Sequence, residues 1–296
     1  NTGREAAKLD YIKEKFNLSN NQLYWRRLKI SESGSDKFRQ EYPATPEEAF
    51  IVSGSNVFDI EKLNSLVPQP ILATREFDYE SCLFEDVPRG SLEIYKYPTF
   101  EDTFAIAADV SLGVGQDYSC AVVLNKEREV CAVYRNNTID PSKFGDLLFY
   151  LGRYYNNSLL AVESNSMGIA TLNRLKQMNY QNLYHQTKIA NVSEEEGARL
   201  GWRTTSQSKP MIIGYLKNAI ESEEIWIPSR VIISELMNYI ADGRTNAISG
   251  HHDDTVIALA ICLEVLRTHA HKLTNTRIPW SQQIGNYGYQ EKGQWL

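Results

Sequence analysis

The chain has 296 residues, 42% of them apolar and 23% charged, an ordinary composition for one large globular domain or one domain with attachments. The formal net charge of −6 argues against a protein whose whole surface coats nucleic acid. No apolar run reaches the roughly 18 residues that a membrane-spanning helix needs, and the four cysteines lack the CxxC spacing of a zinc site.

The first hundred residues are predicted to be helical and then irregular. Helical patterns cover residues 5–16 and 23–30, and Ser19 is a candidate cap for the second helix. Pro43 and Pro46 disfavour any continuation of that helix. The region from about 55 to 100, rich in proline and acids, is predicted to be irregular or hairpin-like.

Three short apolar runs with polar turns between them follow, over residues 104–110, 120–124 and 130–134. This pattern is typical of an antiparallel meander, with a hairpin turn at Gly113-Val114-Gly115. The elements predicted beyond it are a helix at 142–155, a strand at 159–162, a helix near 167–178, a helix at 210–221 opened by a proline, a strand-like 225–227, a helix near 231–240 and an apolar helix at 255–266. The order indicates an α/β protein of ribonuclease H-like fold, with a mixed central sheet whose three-strand antiparallel meander is flanked by helices.

Four carboxylates stand in apolar surroundings. Asp109 ends the first apolar strand, Glu163 directly follows Leu-Leu-Ala-Val, and Asp253 and Asp254 precede the last apolar helix. An unpaired carboxylate is expensive to bury, and acids that converge from separate elements repel one another unless a cation lies between them. Magnesium or manganese, which prefer carboxylate oxygen, would neutralise such a cluster.

Each acid also has a simpler explanation. An Asp before an apolar helix commonly caps it, and an acid at the end of a strand is commonly a solvated boundary residue. The joint pattern favours a catalytic cluster, because a ribonuclease H-like sheet brings these three elements together. The sequence does not decide which of Asp253 and Asp254 points inward. It contains neither a GxxxxGK[ST] nucleotide-binding loop nor a recognisable Ser–His–Asp constellation.

At these residues the chain resembles the nuclease domain of large terminase subunits, the DNA-packaging proteins of tailed bacteriophages and herpesviruses. The resemblance extends over about residues 20–267, and its motifs occur in the family's order. The matching segments are Ala107-Ala108-Asp109-Val110-Ser111 with 113–118, Ala161-Val162-Glu163-Ser164-Asn165, His252-Asp253-Asp254-Thr255-Val256 with 258–260, 41–50 at the junction with the motor domain, and Gly201-Trp202-Arg203-Thr204 with 208–210.

The resemblance implies a catalytic site of two Mg²⁺ or Mn²⁺ ions held by Asp109, Glu163 and one or both of Asp253 and Asp254. Two ions at a phosphodiester would activate a water and stabilise the leaving oxygen. Asp117 also matches a family position, as an outer residue of the site or as a turn cap.

Three further residues are candidates for secondary roles. His252 either approaches the site or faces solvent. Residues 170–220 carry seven Lys or Arg against three acids, and Arg203 and Lys209 are the candidate DNA contacts, with ordinary solvated surface as the alternative.

The implied function is an endonuclease that cuts double-stranded viral DNA concatemers during genome packaging, with little sequence preference. Residues 1–55 are expected to be the end of the motor domain and a linker, 56–270 the nuclease domain, and 271–296 a flexible tail. Because no nucleotide-binding loop is present, we expect a C-terminal fragment without ATPase activity. Implied partners are double-stranded DNA, the motor domain of the full-length polypeptide, the portal protein and the small terminase subunit, in the host cytoplasm and with no membrane.

Two alternatives remain open at this point. A resolvase-like nuclease would share the fold and the metal chemistry, and it is not expected to carry the 41–50 segment. A non-catalytic docking module for the portal or the small subunit would bind its partner without metal-dependent cleavage.

Overall fold

A mixed seven-stranded sheet forms the centre of the protein. The computed structural model describes residues 13, 18–34, 38, 41–42, 56–115, 117–186, 199–242, 244–247 and 252–269. The strands of the sheet are β1 (Ala73–Asp78), β2 (Leu83–Asp86), β3 (Leu92–Ile94), β4 (Phe104–Asp109), β5 (Ser119–Asn125), β6 (Val130–Asn136) and β7 (Leu159–Val162). Their spatial order is β2-β1-β3-β6-β5-β4-β7, and β7 runs parallel to β4 whereas the other neighbouring pairs are antiparallel.

Helices cover both faces of this sheet, and short strand pairs lie outside it. The helices are α1 (Asn20–Ser33), α2 (Ile60–Ser65), α3 (Pro141–Tyr154), α4 (Gly168–Gln177), α5 (Ser208–Glu221), α6 (Arg230–Met237) and α7 (Asp254–His269). The outer pairs are β8 (His185–Gln186) with β9 (Arg199–Leu200), and β10 (Tyr239–Asp242) with β11 (Arg244–Ala247). No helix in the described ranges is both long and apolar enough to cross a bilayer.

The core has two parts because β4 and β5 are buried on both faces. Alternate residues of a strand point to opposite faces. Ala105 and Ala107 therefore pack with the helices α5, α6 and α7, whereas Phe104, Ile106 and Ala108 pack with α3 and α4. Helix α7 is buried along nearly its whole length, which explains why it is apolar all round rather than on one stripe.

The sequence predictions for the central elements are confirmed. Strands β4 to β7 and helices α3, α4 and α7 lie where the apolar patterns place them, within a few residues at each end. Ser19 caps α1 and exchanges hydrogen bonds with Gln22, whose side chain accepts from the Ser19 amide at 2.8 Å. The cysteines are free, and Cys120, Cys131 and Cys262 are buried.

The prediction for residues 55–100 is wrong in part. β1 and β2 form the expected hairpin, but β3 pairs with β6 and joins both strands to the central sheet. These strands are short and carry charged residues such as Arg75, Glu76 and Glu85, as outer strands commonly do. The alternation of apolar and polar residues is therefore weak.

Four smaller predictions also need correction. Helix α5 begins two residues before Pro210, and α6 ends at Met237 and is followed by β10. Residues 225–227 make a single bridge, between Trp226 and Glu129, instead of a strand. Strands β4 and β5 form the predicted antiparallel hairpin, but its connection between Asp109 and Ser119 is longer than a tight turn. Residues 5–12, 14–17, 43–50 and 271–296 lie outside the described residues, as do the predictions made for them.

Candidate active site

Asp109 and Glu163 are brought together by the parallel pairing of β4 with β7. Asp109 is the last residue of β4 and Glu163 directly follows β7, and the Glu163 amide donates to the Ala108 carbonyl at 2.8 Å. Burial, together with the adjacent Glu163 carboxylate, raises the pKa of Asp109 well above its usual value. In the described part of the chain neither acid forms an ion pair with Lys or Arg, so the pair lacks a compensating positive charge.

The N-terminus of α7 adds two more carboxylates to this edge of the sheet. The Asp254 carboxylate accepts a hydrogen bond from the Tyr118 amide at 3.1 Å. Burial and the charge of Asp253 outweigh that bond and raise the pKa of Asp254 to about 6. Asp253 instead lies 3.3 Å from the ammonium nitrogen of Lys209. Both acids contribute to the raised pKa of Asp109, Asp254 more than Asp253, so Asp254 is the more inward of the two.

The four acids converge without closing around a single point. Within the described ranges, no three Asp, Glu, His or Cys side chains are arranged to hold a metal ion. Carboxylates repel one another where no cation lies between them. In this structure Asp254 instead accepts a hydrogen bond from the Tyr118 amide, and Asp253 pairs with Lys209. The donor set still fits magnesium or manganese, because it consists of carboxylate oxygens and includes buried Glu163 beside half-buried Asp109, with no cation paired to either in the described residues.

The Glu163 side chain is oriented by the loop that follows it. The Asn165 amide nitrogen donates to Glu163 Oε2 at 3.3 Å, and Asn165 Oδ1 accepts from the Gly168 amide at 2.7 Å. A Cβ atom at Gly168 would lie 1.7 Å from the Glu163 carbonyl oxygen. On the other side of the loop, the Ser164 amide donates to the Trp202 carbonyl at 2.6 Å. These contacts fix the chain on both sides of Glu163.

A network beneath the site anchors the start of α7. Glu235 accepts a hydrogen bond from the Thr255 amide at 2.9 Å and another from the Thr255 hydroxyl. Its other oxygen lies 3.4 Å from Arg135, whose guanidinium stacks on the Tyr118 ring at 3.5 Å from the centroid. Burial raises the pKa of Glu235 to about 7, although Thr255 and Arg135 act in the opposite direction. The network thus links the helix that carries Asp254 to the loop that binds it.

Sequence reasoning missed Tyr118, Arg135 and Glu235 as parts of the site. Tyr118 belonged to the matching segment 113–118, and Glu235 stood out as an acid within the apolar run Ile232-Ile233-Ser234-Glu235-Leu236, whereas Arg135 left no signal. Asn165 belonged to a matching segment, but its contact with Glu163 depends on the loop geometry.

His252 and Asp117, which were candidates for roles around the site, both lie close to Asp254. His252 Nδ1 lies 3.6 Å from Asp254 Oδ2, and its ring meets the Tyr118 ring edge-on at 5.0 Å. Asp117 is exposed on the loop between β4 and β5, close enough for its charge to contribute to the raised pKa of Asp254.

The two candidate DNA contacts occupy different places. Lys209, near the start of α5, lies at Asp253 within the acid cluster. Arg203 is exposed, and its amide donates to Gln186 Oε1 at 2.8 Å. Its side chain lines a cleft of about 540 Å³ beside Glu163, hereafter the Glu163 cleft. The cleft is lined by Glu163, Ser164, Asn165, Ser166, Ile169, Leu172, Asn173, Lys176, Leu200, Arg203 and Thr204.

Comparison with known proteins identifies the family to which this fold belongs. The family model described as the terminase RNaseH-like domain matches residues 106–264, a range that makes up more than half of the chain and includes the four acids. The fold is similar to solved structures of the large terminase nuclease from thermophilic phage G20c, one with bound cobalt and one with bound magnesium. Each has 19% sequence identity and a TM-score of 0.53, and each alignment covers 72% of this chain and 97% of the other. Among curated proteins, none matches the chain.

The resolvase alternative loses support, because the family model that matches the chain is that of terminases. The predicted ribonuclease H-like fold is confirmed by the seven-stranded mixed sheet and by the same two comparisons. The chain therefore belongs to the terminase ribonuclease H-like family, the nuclease domains of large terminase subunits.

Proposed function

We propose that this domain is a divalent-metal-dependent endonuclease that cuts double-stranded viral DNA concatemers during genome packaging. The observation that carries the proposal is the pair of half-buried Asp109 and buried Glu163, without a cationic partner in the described residues and joined by Asp254 from α7. A purely structural role would favour apolar residues or paired charges at such positions, because unpaired buried carboxylates destabilise a fold.

Asp109, Glu163 and Asp254, with Asp253 beside them, would hold two Mg²⁺ or Mn²⁺ ions. The G20c nuclease, which shares this fold, has been solved with bound magnesium and with bound cobalt, which supports a divalent cation here. Such ions would neutralise the carboxylates, activate a water and stabilise the leaving oxygen of a phosphodiester.

The residues around the acids would position them and the DNA. Asn165 orients the Glu163 carboxylate, and the Tyr118 amide holds that of Asp254. Lys209 balances the charge of Asp253, so we assign it to the acid cluster rather than to the DNA. Arg203, exposed beside Glu163, is the better placed of the two for a phosphate contact. Phosphate contacts carry no base information, which supports cleavage with little sequence preference.

The family also supports a wider biological setting. We propose that the nuclease domain, residues 56–270, works beside the motor domain of the full-length polypeptide. The portal protein and the small terminase subunit would be its docking partners on the procapsid, in the host cytoplasm.

The test is the incubation of supercoiled plasmid with the purified chain in manganese, magnesium or EDTA, beside Asp109→Asn. Asp102→Asn is the matched control, because Asp102 lies just before the opposite end of β4, where it accepts a hydrogen bond from Thr99. We expect nicking and degradation only with metal, no cleavage by folded Asp109→Asn, and normal cleavage by the control. An intact plasmid with both metals would instead favour the non-catalytic docking module.

A further inference from the structure

The Glu163 cleft continues the acid cluster along one side of the molecule. It is lined by the loop after β7, by residues of α4 and by Leu200, Arg203 and Thr204. Its volume of about 540 Å³ falls within the range of roughly 300–1,000 Å³ that is usual for ligand pockets. The cleft is thus large enough for part of one nucleic-acid strand but too small to enclose a duplex.

The charge of this cleft is positive away from Glu163. Lys176, on α4, and Arg203, after β9, are exposed, line the cleft, and form no ion pair with any acid in the described residues. Among the described residues that line the cleft, Glu163 is the only acid, and the remaining polar residues are neutral hydrogen-bonding groups. Two cations from different elements, among neutral hydrogen-bonding groups, suit the phosphates of a nucleic-acid strand.

The exposed residues that α4 contributes to the cleft are regularly spaced along the helix. Ile169, Asn173 and Lys176 are exposed at positions i, i+4 and i+7 and so share one face of the helix. At a rise of about 1.5 Å per residue, that face is about 10 Å long. At about 3.4 Å per nucleotide along a strand, this is the axial length of about three nucleotides. Ile169, whose surface is 52% exposed, offers apolar contact for a sugar.

We propose that the Glu163 cleft binds the backbone of one DNA strand beside the phosphate that is cut, with Lys176 and Arg203 as its phosphate contacts. This proposal rests on the proposed nuclease function. It adds Lys176 and Asn173 to the DNA-binding residues, and it assigns one strand to the Glu163 side of the site.

The first test is the salt dependence of DNA binding. Fluorescence anisotropy with a mixed-sequence duplex of about 30 base pairs, in EDTA, gives the slope of log K against log salt. We expect Lys176→Gln and Arg203→Gln each to reduce this slope by about 0.9, and the double variant by about 1.8. Lys126→Gln, in the turn between β5 and β6 at the other end of the sheet, should leave it unchanged. Equal slopes for all the proteins, or no salt-dependent binding by the wild type, would overturn the proposal.

The second test adds a negative charge without changing shape. Asn173 is exposed and lines the cleft, so Asn173→Asp places the new charge there. Asn218, which is also exposed but lies in the last turn of α5 and does not line the cleft, provides the control Asn218→Asp. We expect Asn173→Asp to weaken duplex binding several-fold and to raise KM for plasmid cleavage with little change in kcat, and Asn218→Asp to do neither. If the wild type cuts plasmid and the two variants behave alike, the cleft proposal fails alone. If the wild type does not cut plasmid but Lys176→Gln and Arg203→Gln still reduce the slope of log K against log salt, the proposed nuclease function fails and the cleft proposal stands.

Discussion

Glu163 lies beside Asp109 because β7 runs parallel to β4 and the Glu163 amide bonds the carbonyl of Ala108, one residue before Asp109. The carboxyl ends of parallel strands meet at the same edge of a sheet, and the crossover through α3 is what makes the two strands parallel. Two acids far apart in the sequence thereby become neighbours with raised proton affinity at Asp109.

The stability of the metal-free protein should fall as pH rises from about 4 to about 6. The pKa of Asp254 is raised to about 6 in the folded state, against about 3.9 for an unperturbed Asp. In that interval the folded state binds more protons than the unfolded state, so the free energy of unfolding decreases with pH. Asp254 should contribute on the order of 2 kcal/mol to this loss.

The measurement is urea unfolding in EDTA at several pH values, for the wild type and Asp254→Asn. The difference in the free energy of unfolding between the two proteins isolates the contribution of Asp254 from that of the other acids. Asp254→Asn should become more stable relative to the wild type as pH rises. A constant difference between the two proteins across the interval would contradict the prediction.

Gly168→Ala should disturb the site through the backbone. The added Cβ would lie 1.7 Å from the Glu163 carbonyl oxygen, so the loop that orients Glu163 has to move. We expect a loss of about 1–3 kcal/mol in the free energy of unfolding, the usual range for overpacking, together with a large loss of cleavage.

Gly214→Ala provides the matched control for this change. Gly214 lies within α5, and apart from the backbone of that helix no atom of the described residues lies within 4 Å of the position that an alanine methyl group would occupy there. Alanine should therefore stabilise the helix by about 0.5–1 kcal/mol. Thermal unfolding and plasmid cleavage distinguish the two variants. Wild-type stability and activity in Gly168→Ala would show that the loop is not constrained as described.

Arg135 and Glu235 should behave as a coupled pair. Removing one partner of a buried ion pair leaves the other charge uncompensated, at a cost of about 3–5 kcal/mol. Because the Arg135 side chain is still 26% exposed, we expect a smaller loss, about 2 kcal/mol, for Arg135→Met.

Glu235→Gln keeps an acceptor for Thr255 and removes the charge, so the double variant should be less destabilised than the sum of the single variants. Denaturation midpoints of the four proteins give the coupling, expected at about 1–2 kcal/mol. Simple additivity would mean that the two side chains act independently.

Asn165→Ala should weaken metal binding while the fold is retained. The residue bonds Glu163 Oε2, and loss of such an orienting partner typically lowers metal affinity by about 10–100-fold. Calorimetric titration with Mn²⁺ measures this directly. Asn182→Ala removes a comparable amide bond, to the Asn157 carbonyl at the opposite end of β7, and should leave the metal affinity unchanged. Equal affinities in the two variants would remove Asn165 from the site.

The central elements could be predicted because their signals are local. The strands β4, β5 and β7 are continuous apolar runs, and the acids that end or follow them stand out against that background. The outer strands β1 to β3 could not be predicted with the same certainty. Their residues face solvent in part, and their pairing with β6 depends on a distant segment of the chain.

By itself the sequence determined the order of the core strands and helices and the four acids that stand in apolar places, because hydrophobic periodicity is a property of neighbouring residues. Their catalytic roles remain predictions. The tertiary structure decided that Asp254 turns to the Tyr118 amide while Asp253 meets Lys209, and that Glu235 and Arg135 support both loop and helix. These contacts join residues from separate elements, so they depend on how the layers pack, which no local pattern encodes.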